Sequence, residues 1–153
     1  MFNDPELSAA IAYGARRASR SALSAQAMEE YIEQRYPTLA ADAVTALADM
    51  GLVDDATLAR ERAAAKQGQQ WGHYRIRVDL QRRGIPDEHI AAALRELSDD
   101  DDVCHAAAER LARRHTSLSR DVAFRRIVSG LARLGFSPQL SYRAASDALN
   151  DSD

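Results

Sequence analysis

Apolar positions recur three and four residues apart along almost the whole chain, the spacing of one helix face and not the alternation of a strand. Ile76 and Leu80 form one such stripe, and Phe124, Ile127, Val128 and Leu131 form a longer one. Ala43, Val44, Leu47 and Met50 make a third, with Ile90, Ala93, Leu94 and Leu97 as its counterpart further on. Ala, Leu, Arg and Glu dominate the segments, and runs of β-branched residues are absent. The seven glycines and four prolines sit mostly between periodic stretches. The pattern predicts nine helices, near residues 7–19, 24–35, 39–50, 55–68, 72–83, 87–98, 102–115, 119–134 and 138–149.

The punctuation repeats. Leu80-Gln81-Arg82-Arg83-Gly84-Ile85-Pro86-Asp87 is echoed by Leu131-Ala132-Arg133-Leu134-Gly135-Phe136-Ser137-Pro138, and the two glycines keep the same offset of 51 positions. In each, a helix ends on Gly, a large apolar residue follows, and a new helix begins. Glycine takes the left-handed conformation beyond a helix end without a Cβ penalty, and the next apolar residue, Ile85 or Phe136, packs back on the last turn. Ser137 and Pro138 read as an N-cap with proline at the first helical position. A fainter copy is Tyr36-Pro37-Thr38, where Thr38 is placed to cap the next helix.

Repeats of roughly 45 to 50 residues are typical of stacked helical arrays. The expected fold is therefore all-α: three tandem three-helix repeats forming an elongated, curved array, each repeat dependent on its neighbour for burial. The repeats are placed at 1–52, 53–98 and 99–153, the first divergent and the third with a short disordered tail. The joints fall at Gly51–Asp55 and at Ser98–Asp102, and the four consecutive aspartates of the second predict a solvated, frayed linker.

Composition adds bounds. The chain has 153 residues, 46% hydrophobic and 28% charged, a usual globular mix. No stretch nears the roughly 20 apolar residues of a membrane span, and Met1–Ala12 lacks the basic start and long apolar run of a signal peptide. The single cysteine, Cys104, excludes an internal disulfide and any thiolate cluster for zinc, so a reduced, cytoplasmic setting is expected. A net charge of −3 excludes coating of nucleic acid by bulk charge and leaves only a local patch.

No constellation supports catalysis. Asp54 and Asp55 open a helix, where carboxylates cap and favour the macrodipole. His73, His89, His105 and His115 include no pair with the i, i+4 spacing of a zinc site, and adjacent Cys104 and His105 point about 100° apart on a helix. Gly68 and Gly72 are not followed by the Lys-Ser/Thr of a phosphate loop. No enzyme, metal or cofactor is expected.

The arginines carry the candidate chemistry. Arg75, Asp79 and Arg82 lie along one helical stripe with Arg83 beside it, either a solvated face in which Asp79 pairs with Arg75 and Arg83, or a cationic ridge for carboxylate or phosphate. Residues 54–97 carry eight basic and seven acidic groups, against four and seven in residues 1–50. Arg125, Arg126 and Arg133 project away from the core stripe of their helix and extend the ridge or merely solubilise it. Trp71 and Tyr74 flank the start of the middle helix, as packing residues or, if exposed, interface anchors. With Lys66 and Arg77, these form the candidate partner-binding set; Asp54, Asp55, Gly84, Ile85, Gly135 and Phe136 form a structural set.

Two motifs resemble a known family. Gly51-Leu52-Val53-Asp54-Asp55-Ala56-Thr57-Leu58-Ala59 resembles Gly-Leu-Ile/Leu-Asp-Asp, two positions, Phe-Ala. The run from Gly72 through Arg75-Ile76, Asp79-Leu80 and Arg83-Gly84-Ile85 is similar to Gly-x-x-Arg-Ile-x-x-Glu-Leu-x-x-Lys-Gly-Ile. These are signatures of the RecX regulatory proteins, and Leu131–Ser137 looks like their Leu-Ala-Arg-Arg-Gly-Phe-Ser. Leu58, Asp79 and Arg83 depart from the family's Phe, Glu and Lys, and Ser24–Ile32 has Ala27 in place of an acidic residue. The resemblance runs from about Gly51 to Leu149. It implies a protein without catalytic chemistry that binds in the groove of the RecA–single-stranded DNA filament, inhibits strand exchange, ATP hydrolysis and coprotease activity, and favours filament disassembly. A monomer is expected, with arginine patches as the candidate contact to single- or double-stranded DNA. The residues alone leave two alternatives: a helical DNA-binding module with Gly84 or Gly135 as the turn of a helix-turn-helix, and a repeat adaptor for another protein.

Overall fold

The computed structural model describes residues 4–150. Among these the chain forms nine α-helices and no strand: α1 (Pro5–Ala18), α2 (Ala25–Glu33), α3 (Ala40–Asp49), α4 (Asp55–Gly68), α5 (His73–Arg82), α6 (Asp87–Arg95), α7 (Asp100–Arg114), α8 (Arg120–Arg133) and α9 (Pro138–Asn150). The array is all-α and built of three-helix repeats. The short tail expected after α9 falls largely on residues 151–153, outside the described residues.

Short polar side chains set most helix starts. Asp4 accepts from the Glu6 amide at 3.0 Å, with Pro5 at the first helical position. Asp54 accepts from Thr57 at 3.1 Å, Ser119 from Val122 at 3.4 Å and Ser137 from Leu140 at 3.2 Å. Hydrogen bonds to the Thr57 amide and hydroxyl hold the Asp54 carboxyl below the usual carboxylate range. Glycine sets the ends. Gly51, Gly84 and Gly135 have φ of 77°, 79° and 99°. Behind each, the next amide reaches back, Leu52 to Leu47 at 2.9 Å, Ile85 to Leu80 at 3.3 Å and Phe136 to Leu131 at 3.2 Å.

Three local expectations are corrected. Thr38 does not cap α3: the position falls to Leu39, which makes no side-chain cap bond. Met50 is not part of the buried α3 stripe but lies past the helix end, 59% exposed. The aspartate run is not a frayed linker. Asp99 occupies the N-cap position and Asp100–Asp102 form the first turn of α7, where negative charge meets the positive helix end. Asp101 also faces His105 at 2.9 Å and Arg143 at 3.6 Å.

The chain divides into two compact units, one from the N-terminus to Glu61 with Leu80–Ala93, the other Arg62–Asp79 with Leu94 to the C-terminus. The first has a core of Ala10, Met28, Ile32, Ala43 and Leu47, closed so tightly on α1 that a Cβ at Gly14 would stand 2.6 Å from the Leu47 side chain. The second is alanine-rich, with Ala107, Ala108, Ala144 and Ala145 letting α7 and α9 approach closely around Ile127 and Leu131.

Inside each unit the same joint recurs. In the first, the Ala25 amide at the start of α2 donates to the Asp55 carboxylate at 2.9 Å, and Ser24 Oγ donates to the Arg83 carbonyl at 2.5 Å. A Cβ on Gly84 would lie 2.8 Å from Gln26 Oε1. In the second, the His73 amide at the start of α5 donates to the Asp100 carboxylate at 2.9 Å, and the Gly72 amide to the Leu134 carbonyl at 2.7 Å. A Cβ on Gly135 would lie 2.6 Å from that of Arg75, and one on Gly72 2.9 Å from the Gly135 carbonyl. Each joint supplies partners to first-turn amides, which have none within their own helix.

Gly72→Ala and Gly135→Ala are expected to lower unfolding free energy by about 2–4 kcal/mol in urea denaturation, from overpacking and, at Gly135, positive φ. Gly68→Ala, with nothing within 4 Å, should change it by no more than about 1 kcal/mol, towards stability.

His105 donates to the Asp101 carbonyl (2.8 Å) and the Asp147 carboxylate (3.0 Å), which raises its pKa above the ordinary 6.5. The stabilisation is complete below that ordinary value and is lost as pH rises through the raised one. Unfolding midpoints measured across this range should fall with pH in the natural chain more than in His105→Gln.

Candidate functional site

The last turn of α4 and the first of α5 build the site. Gln70 stands between them at φ 66°, a left-handed position filled elsewhere in the chain by glycine. The Trp71 amide reaches back to the Lys66 carbonyl at 3.2 Å, and Gln70 Oε1 accepts from Arg110 Nε at 2.6 Å. Gln67 holds Ser98 through both backbone groups, at 2.9 and 3.0 Å.

This turn presents Trp71, half-buried, between basic groups. Lys66 Nζ lies 4.7 Å from the ring centroid and the Arg75 guanidinium carbon 3.7 Å. Arg75 also donates to the Arg133 carbonyl at 3.0 Å, so its fork ties α5 to the end of α8. Lys66, Trp71, Arg75 and the backbone of Arg133 thus come together. Tyr74, 69% exposed, and Arg77, exposed, follow on α5. Arg125 and Arg126 are exposed on α8, Arg126 about 10 Å along the axis from Arg133. Arg82 and Arg83 are exposed at the end of α5, within the first unit beside Gly84.

Asp79 is engaged across helices. Arg62 of α4 grips its carboxylate with two donors, Nε to Oδ2 at 2.5 Å and Nη2 to Oδ1 at 3.1 Å. Sequence reasoning missed Arg62, because the pair spans two helices; the signal available was its place on α4 facing the acidic position of the next helix. Asp54 caps α4, Asp55 and Gly84 belong to the first joint, Gly135 to the second, and Ile85 and Phe136 are buried.

Burial, with Asp100 and Asp101 nearby, pushes the Cys104 thiol up to about 12, so it is protonated and unreactive at neutral pH. Among the described residues no group of three or more His, Cys, Asp or Glu is placed to hold a metal ion, and no helix is long and apolar enough to cross a membrane. What the site offers is a cationic, aromatic contact surface.

Residues 54–94, α4 through most of α6, match the family model described as RecX, second three-helix domain. Regulatory protein RecX of Thermobifida fusca (strain YX) is 30% identical over 106 residues, 66% of this chain and 56% of that protein. The chain is similar to the RecX proteins. It spans a little over half the length of that curated relative. The crystal structure of RecX from Lactobacillus salivarius matches with a TM-score of 0.79 at 19% identity, over 94% of this chain and 96% of that one. A second structure, of regulatory protein RecX, matches at 0.76 and 18% identity, over 93% and 72%. At these identities the structures show a shared RecX fold, the three-helix repeat array.

Arg75→Ala is expected to cost about 1–2 kcal/mol, the sum of one hydrogen bond and one stacked cation. Trp71, the only tryptophan, should report the loss as a red-shifted emission in the folded state, while Arg77→Ala leaves both unchanged.

Proposed function

We propose that this protein regulates a RecA recombinase by binding the RecA–single-stranded DNA filament and inhibiting its strand exchange, ATP hydrolysis and coprotease activity, with no catalysis of its own. The observation that carries this reading is the match of residues 54–94 to the RecX second three-helix domain. The chemistry of the surface agrees with it. Tyr and Arg are the residue types that concentrate binding energy at protein interfaces, and Tyr74 and Arg77 stand exposed on α5. A nucleoprotein filament presents carboxylates and phosphates, and the arginine fork binds either with two donors.

The internal bonds divide the candidate residues. Trp71, Arg75 and Lys66 shape the α4–α5 turn, so we assign them to positioning. Tyr74, Arg77, Arg125, Arg126 and Arg133 are left for the partner, with Arg82 at the far end of α5 as a further contact. The protein acts as a cytoplasmic monomer away from membranes, through many modest contacts along a repeating partner.

Preformed RecA filaments on single-stranded DNA provide the assay. Micromolar protein should suppress their ATP hydrolysis and co-sediment with them, and a Tyr74→Ala, Arg77→Glu double variant of unchanged helicity should need about tenfold more protein. Neither suppression nor co-sedimentation by the natural chain would remove the reading; full potency in the variant would remove α5 from the contact.

A further inference from the structure

The first repeat holds a basic cleft outside the two motifs that carry the family resemblance. Its walls are Tyr13, Arg16, Ser19 and Arg20 from α1 and the turn after it, and Tyr31 and Arg35 from α2 and its end, enclosing about 490 Å³. That volume suits a small ligand or a short piece of a polymer.

Three observations give the cleft a chemistry. The first is charge segregation: residues 1–50 carry seven acidic groups and only four basic ones, Arg16, Arg17, Arg20 and Arg35. Three of the four line this cleft and none of the seven does. The second is that these charges are available. None of the four forms an ion pair with a carboxylate among the described residues, and Arg16 and Arg20 make no side-chain hydrogen bond there. Arg17 is the committed one, donating to the Ser21 carbonyl and hydroxyl at 3.2 and 3.0 Å. The third is aromatic. Tyr13 and Tyr31 stack at 4.6 Å with planes 5° apart, Tyr36 meets Tyr13 edge-on at 5.8 Å, and guanidinium groups lie over the pair, Arg35 5.5 Å from Tyr13 and Arg17 5.9 Å from Tyr31.

Arginine forks without a carboxylate partner beside an aromatic stack suit a ligand that carries both phosphates and flat bases. An acidic peptide would use the charges and leave the rings without a role. A single nucleotide would leave most of the three arginines unmatched. We infer that this Tyr–Arg cleft of the first repeat binds a short run of single-stranded nucleic acid, with Arg16, Arg20 and Arg35 on successive phosphates and bases against the tyrosine stack and its guanidinium planes. The inference does not rest on the filament reading, because the site should work on a bare strand with no recombinase present.

Fluorescence anisotropy of the full chain with a fluorescein-labelled twelve-residue oligothymidylate tests it. Binding should weaken with salt, with a slope of about −2 in log K against log salt for three phosphates. Arg16→Glu with Arg20→Glu, exposed positions whose change leaves helicity intact by circular dichroism, should weaken binding at least about tenfold. Arg35→Ala should weaken it several-fold. Arg113→Glu with Arg114→Glu, exposed on α7 of the other unit, controls for net charge and should leave binding nearly unchanged. No binding by the natural chain, or equal losses in the two charge-reversed pairs, would overturn the site. So would displacement of the oligonucleotide by thymidine monophosphate or a glutamate dodecapeptide at matched phosphate or carboxylate concentration.

Discussion

An α-helix begins with amide groups that its own backbone cannot satisfy. At the starts of α2 and α5 this chain supplies the missing acceptors from another repeat. The Ala25 and His73 amides each donate to the carboxylate at the first position of a later helix, Asp55 and Asp100. Beside them a glycine turn must leave its Cβ position empty: Gly84 for Gln26, Gly135 for Arg75. A repeat of three short helices buries little alone, so a bond that completes one repeat with groups of the next makes the series a structure. Those first amides are the constraint on which the remaining architecture depends.

The same joint governs what the surface can offer. At the second joint it fixes Arg75 against Gly135, and from there the guanidinium covers Trp71 and reaches the Arg133 carbonyl. Arg62 closes on Asp79 one helix away. Several charges that look like a ridge in sequence are therefore internal fasteners, and the residues left outward are Tyr74, Arg77, Arg125, Arg126 and Arg133. The cations that hold the shape are thus separate from those that stay exposed.

Much of this was legible in the residues and some was not, for physical reasons. Helical spacing located all nine helices, because Ile76 with Leu80 and Ile127 with Leu131 bury one face each. Gly84 and Gly135 were readable as helix ends, since a left-handed turn is a local property. What lies against those turns was not readable, being a property of residues some fifty or more positions away. The aspartates at 99–102 misled because a run of like charge resembles a linker, whereas a helix N-terminus accepts it. Gln70 gave no signal at all: a non-glycine residue holds a glycine-like φ there, and its side chain accepts from Arg110. The Tyr–Arg cleft stayed hidden because its residues fall on two helices and its motif is the weakest part of the family resemblance.

Amide hydrogen exchange in the native state reads the joints one proton at a time. The amides of Ala25, Gly72 and His73 are at or near helix starts, where exchange is ordinarily fast. The account predicts protection approaching that of the buried Ile76 amide, lost together in Gly135→Ala at Gly72 and His73 but kept at Ala25. Exchange at all three as fast as at an ordinary exposed helix start would contradict it.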